Sequence, residues 1–162
     1  MADFTFNVSL GREVEYYQRV DGNDPANAAL IGVVVRAANI ESDSILKDYD
    51  TLSAILAAAN DEATNSSYAR KTWTDADLTA YTVDDANDRT QLFLPTPITF
   101  ATIGAGDTWA KLLVCYDSDT TSGTDANIIP VTAHDLLYQG AYVIPNGTNI
   151  TITNSNGFTI CS

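Results

Sequence analysis

Few residues in this chain are of a type that can do chemistry, and the lone histidine comes first. His134 stands in Val131-Thr132-Ala133-His134-Asp135, where a neighbouring carboxylate suggests an oriented general base. Neighbours along a strand point to opposite faces, so if this run is extended Asp135 cannot steer the ring, and a structural or surface histidine is expected. Cys115 and Cys161 lie in no nucleophile or Cys-x-x-Cys context, and no Gly-x-Ser-x-Gly elbow is present. Hydrolysis of the Ser or Cys type is therefore not expected. Gly104-Ala105-Gly106 lacks the third glycine and following helix of a dinucleotide loop and reads as a hairpin turn.

The acidic clusters are the one constellation to weigh. Asp117-Ser118-Asp119 followed by Asp125 resembles the opening of a calcium loop, because hard cations want several carboxylates on a flexible loop. The pattern then departs from an EF-hand: counting from Asp117, the glycine position holds Ser122 and the closing glutamate position holds Ile128. A solvated turn is the leading expectation, with Asp117, Asp119 and Asp125 as weak metal candidates. Asp84, Asp85 and Asp88 are weaker still, since Arg89 is at hand to neutralise one of them. Two such acids could form a glycosidase pair, but that mechanism depends on a separation in space that spacing along the chain does not give. No catalytic residue and no cofactor is assigned.

Charge narrows the partners. Eight bases against 21 acids leave a net charge of −13 over 162 residues. A phosphate-binding surface needs clustered Lys and Arg, and three Lys and five Arg are scattered along the chain, so neither nucleic acid nor an anionic membrane is expected as a partner. Such charge suits solubility or docking on a basic surface. No run approaches a membrane span, and Met1-Ala2-Asp3-Phe4 lacks the basic and apolar regions of a signal peptide, so synthesis in a cytoplasm is expected. Cys115 and Cys161 are then expected to be thiols, with a disulfide as the alternative.

The elements that must position these groups look mainly β. Twenty Thr, 12 Asn and 10 Ser favour strands and turns, and 17 Asp against 4 Glu point the same way, since Asp belongs to turns and caps and Glu to helix faces. Phe4, Phe6, Val8 and Leu10 alternate with polar residues as in a half-buried strand, and Val14 to Val20 reads as a second extended run. Asp21-Gly22-Asn23-Asp24-Pro25 is a turn. Leu30-Ile31-Gly32-Val33-Val34-Val35 and the run from Trp109 to Tyr116 are apolar on both faces, the pattern of strands buried on both sides. Ile45, Leu46, Tyr49, Leu52, Ile55, Leu56 and Ala59 recur at helical spacing, giving one helical segment from about 44 to 60. Ser42 or Ser44 would cap it and Asn60 would stop it; the alternative is two short turns broken near Asp50.

Further strands are expected over 67–74, 91–94, 98–103, 128–132, 142–144, 150–152 and 158–160, separated by Gly, Asn and Pro turns. This is the pattern of an antiparallel β-sandwich or barrel with one short helical insertion, residues 1–162 forming a single β domain. Residues 1–20 read as an N-terminal arm or as a first strand.

Tyr68-Ala69-Arg70-Lys71, Val83 to Arg89, Trp109 to Asp117 and Thr121 to Pro130 together resemble small virion structural proteins of tailed bacteriophages, most of all capsid decoration (cement) proteins. The resemblance covers roughly 60–135 and carries no catalytic motif; the segment around Tyr138-Gln139-Gly140-Ala141-Tyr142 lies outside it. It implies a compact β domain, assembled as a homotrimer, that binds the major capsid protein on the outside of the virion shell and stabilises contacts between its subunits. On that reading Phe4, Phe6, Tyr16 and Tyr17 are partner-binding candidates as aromatic anchors of an arm, against the plainer expectation of a core strand. A tail- or fibre-associated virion protein is the alternative. A calcium-dependent carbohydrate-binding β-sandwich, with Trp73, Trp109 and the loop from Asp117 to Asp125 as platform and metal site, is a second.

Overall fold

A computed structural model describes residues 3–153 and 159–161. In chain order the strands and α-helices are β1 (Phe4–Thr5), α1 (Glu13–Asp21), β2 (Ala29–Arg36), α2 (Asp43–Leu46), α3 (Leu52–Ala57), β3 (Lys71–Trp73), β4 (Thr82–Asp84) and β5 (Arg89–Leu92). They continue with β6 (Ile98–Phe100), β7 (Trp109–Asp117), β8 (Ile129–Asp135), β9 (Leu137–Tyr138), β10 (Ala141–Tyr142), β11 (Ile150–Ile152) and β12 (Thr159–Cys161). The fold is mainly β. Its centre is a five-stranded antiparallel sheet in the order β1-β8-β7-β2-β3, accompanied by β12-β5-β4 and the pairs β11-β6 and β10-β9.

The two continuous apolar runs become β2 and β7, paired from Ala29 opposite Asp117 to Val35 opposite Lys111. Both are buried on both faces, so each face needs a cover. Leu30, Val34, Leu112, Val114 and Tyr116 face a layer made by α1, Leu92, Leu94, Ile98 and Phe100. Ile31, Val33, Val35, Leu113 and Cys115 face Phe6, Leu46, Leu52 and Ile55, from the N-terminal segment, α2 and α3. The arrangement is sandwich-like on the first side and helical on the second. Gly32 is required by contact: a Cβ there would lie 2.6 Å from the Trp73 ring, which packs across β2 from the edge strand.

Three local expectations are corrected. Val14 to Val20 is not extended but lies within α1. Glu13, Tyr16, Tyr17 and Val20 are its buried residues, at helical spacing, while Arg12 and Arg19 each pair with Glu15 at 3.0 Å on the exposed side. The alternation from Phe4 to Leu10 yields only two strand residues, then a 3-10 turn at Asn7–Ser9. That turn is tied down by Asn7 N–H to the Lys47 carbonyl (2.9 Å) and Ser9 Oγ to the Pro130 carbonyl (2.7 Å), so the segment is part of the domain and no free arm. The segment over 44–60 is two short helices, the broken alternative. Thr51 Oγ1 accepts the Ala54 N–H at 3.2 Å and starts α3, whereas Ser42 holds the cap position of α2 with its hydroxyl paired to that of Ser44 at 2.9 Å and not to a backbone N–H. Asn60 lies beyond α3 and spends its amide on Glu41, accepting its N–H at 2.9 Å and donating to Oε2 at 2.6 Å.

A buried cation joins the layers. Lys111 is fully buried within β7; its Nζ meets Asp135, its cross-strand partner in β8, and Asp43 of α2 at 3.1 Å, and it lies 5.2 Å from the centre of the Phe4 ring. Lys111→Met leaves a buried carboxylate without its counter-charge, and chemical denaturation should show a loss of about 3–5 kcal/mol, part of it recovered by adding Asp135→Leu. Gly32→Ala should cost about 1–3 kcal/mol in the same assay, because the Trp73 ring has to move.

Candidate interaction surface

The four aromatic anchor candidates do not form a docking surface. Phe6, Tyr16 and Tyr17 are buried in the domain's own core and Phe4 is half-buried beside Lys111, so the expected arm contacts are corrected to core packing. Tyr16 stacks on Tyr116 with ring centres 4.8 Å apart, and the Tyr17 hydroxyl donates to the carbonyls of Thr79 (2.6 Å) and Phe93 (2.8 Å), fixing α1 over the sheet. Burial pushes both hydroxyls above the ordinary tyrosine value.

The metal candidates also fail to converge. Asp117 Oδ1 accepts the Asp119 N–H at 3.0 Å, and Asp119 Oδ1 accepts the Thr121 N–H at 3.0 Å, the geometry of side chains closing turns. Asp125 is taken by Arg70, at 2.6 and 2.9 Å. Among the described residues no group of three His, Cys, Asp or Glu side chains is placed to hold a metal ion. Asp84, for its part, receives Arg89 at 2.8 Å and Asn87 at 2.9 Å. The carbohydrate platform falls as well: Trp73 and Trp109 are both buried, and the Trp109 indole N–H donates to Asn65 at 2.8 Å.

His134 meets a different acid from its neighbour. Nδ1 lies 3.1 Å from Asp3 Oδ2 across the β1–β8 pair, and Nε2 lies 2.9 Å from Thr132 Oγ1 two residues back on the same face. The connectivity is that of a nucleophile, base and acid, but Thr132 is only 3% exposed, so a substrate has no approach to its hydroxyl. The bond to His134 holds the Asp3 carboxyl below its ordinary value. The arrangement ties the start of the chain to β8. Cys115 is a buried free thiol whose pKa is driven upward by desolvation, the condition of an inert cysteine; the side chain of Cys161 lies outside the described residues.

Large apolar side chains reach solvent in a different place. Leu137, Tyr138 and Ile144 are 51%, 71% and 71% exposed, on the β9–β10 hairpin and the turn that follows it. The hairpin turns through Gln139 and Gly140, both with positive φ as a type I′ turn demands. It is held to the body at its base, where Leu136 N–H donates to the Ala110 carbonyl and Trp109 N–H to the Val143 carbonyl, each at 2.8 Å. Between the hairpin and β11 lies an open recess of about 760 Å³, lined by Tyr138, Tyr142, Val143, Ile144 and Ile150 among others. None of its lining residues is charged. The sequence reading missed this surface; its signal was that the last charged residue is Asp135, so 136–162 carries none.

The strongest polar cluster on the opposite edge is structural. Arg70 forks onto Glu62 (2.7–3.1 Å) and Asp125, while the Tyr68 hydroxyl accepts the Val34 N–H at 2.9 Å and donates to Glu62 at 3.0 Å, covering β2 where β3 has ended. Arg70 holds the Asp125 carboxyl below its ordinary value. A carboxyl depressed in the folded state stabilises above its unfolded pKa and loses that contribution as pH falls through the folded one. Arg70→Met should therefore cost roughly 2–3 kcal/mol at neutral pH and flatten the acid limb of a stability-versus-pH curve, and Arg70→Lys should recover less than half, since an ammonium cannot fork onto both acids. In comparisons with known proteins, no family model, no curated protein and no solved structure matches the chain.

Proposed function

We propose that this chain is a non-enzymatic capsid decoration (cement) protein of a tailed bacteriophage, a homotrimer that binds the major capsid protein on the outside of the head and stabilises contacts between its subunits. The observation that carries the reading is the placement of the side chains. The histidine, the buried thiol of Cys115, both tryptophans and the acids of the 117–125 loop are spent on the fold, while three of the six exposed large apolar side chains among the described residues, Leu137, Tyr138 and Ile144, reach solvent together on one uncharged end. That is the anatomy of a protein that works by contact. The likeness of residues 60–135 to cement proteins supplies the capsid as the partner and the virion surface as the location. Several weak contacts per copy, multiplied by trimer formation, suffice for tight attachment.

Cosedimentation of the purified protein with expanded capsids that lack it should saturate at a fixed ratio comparable to the number of capsid subunits. Absence of binding would overturn the proposal, and occupancy of only a few sites per particle would move the protein to the tail or fibre.

A further inference from the structure

The uncharged end of the molecule has a specific partner. We propose that the surface formed by the β9–β10 hairpin, Ile144 and β11 is the face through which copies of this chain associate with one another.

Charge is confined to the rest of the molecule. All 21 acids and all 8 bases lie within residues 1–135, and the recess between the hairpin and β11 has no charged residue in its lining. In a symmetric assembly each patch meets the same patch, or its neighbour, on an identical chain, so any charge there is duplicated across the contact. A chain of net charge −13 has little surface that it can bring against itself without like-charge repulsion. This end is such a surface. A partner of a different kind, chosen by complementarity to so acidic a chain, would be recruited by the acidic body and not by the neutral end.

The strand edges at this end also lack charge. Natural sheets blunt exposed edges with charge or proline to stop unwanted pairing. The edge strands β3 and β4 contain Lys71 and Asp84, and β1 is preceded by Asp3. β9, β10 and β11, which lie in two-stranded sheets, contain neither charge nor proline, a lack shared with β6, the partner of β11, and with β12. The exposed side chains of β9 and β10 are apolar or aromatic (Leu137, Tyr138 and Ala141), whereas β11 exposes Thr151 and half-buries Ile150 and Ile152; Tyr138 and Ile144 stand at the rim of the recess as contacts of the kind that dominate interfaces. Among the described residues no further strand pairs with the outer edges of β9 and β11, and an open edge beside an uncharged recess suits pairing with a second copy.

The inference rests on the reading of this end as an assembly surface, but not on the capsid. Sedimentation velocity of the full chain over a wide concentration range should show an oligomer whose association tightens as salt rises, because screening relieves repulsion between the acidic bodies. Tyr138→Lys and Ile144→Lys should each weaken association by about thirtyfold or more, with unchanged circular dichroism and, at concentrations where both proteins are monomeric, an unchanged melting temperature, since both side chains are largely exposed. Leu10→Lys and Val83→Lys, at exposed apolar positions elsewhere, should leave it unchanged. A wild-type chain that sediments as a monomer throughout, or hairpin variants that assemble like wild type, would overturn the proposal. An oligomer that ignores capsids supports this face and defeats the capsid reading. A monomer that saturates capsids and loses them on Tyr138→Lys does the reverse and gives the face to the capsid.

Discussion

The pairing of β2 with β7 is the constraint on which the rest of the structure depends. Neither strand has a face suited to water, so the chain must supply two covers, and the remaining elements can be understood by which face they close. Side-chain alternation sends Leu30, Val34, Leu112 and Val114 one way and Ile31, Val33, Val35 and Leu113 the other. Short strands and α1 close the first face, and short helices close the second. Lys111 is the exception on the helical face: a charge inside the central strand forces Asp43, Asp135 and the Phe4 ring to gather around it, which ties α2 and the chain start to the sheet.

The long elements were legible in the sequence because burial on both faces leaves a continuous apolar run, and β2 and β7 stand where those runs are. The break between α2 and α3 was legible too, in the poor helix formers from Asp48 to Thr51. Local pattern failed where two periods fit the same residues. Val14, Tyr16, Tyr17 and Val20 satisfy a short extended run as readily as a helix, and only the spacing of Glu13, Tyr16, Tyr17 and Val20, with Glu15 between two arginines, separates them. Phe4 and Phe6 alternate as a strand should, but one lies at the edge of the buried cation and the other in the core.

At the candidate sites the limit was different. Spacing along the chain brought Asp117, Asp119 and Asp125 together as a group, and tertiary structure separated them by giving Asp125 to Arg70, 55 residues away. It likewise joined His134 to Asp3 across 131 positions. Such partnerships are made by sheet order, which local patterns do not encode. The charge-free end needed no tertiary knowledge at all, only attention to where charges stop.

The two tryptophans share a layer. Trp73 and Trp109 both belong to the core on the α1 side of the sheet, and the helical side contains none. The intrinsic emission of this protein is therefore a one-sided reporter, sensitive to the opening of one cover and nearly blind to the other. Agreement between fluorescence and far-ultraviolet dichroism during unfolding carries more information here than in a protein with tryptophan on both sides, because it means that the two covers leave the sheet together.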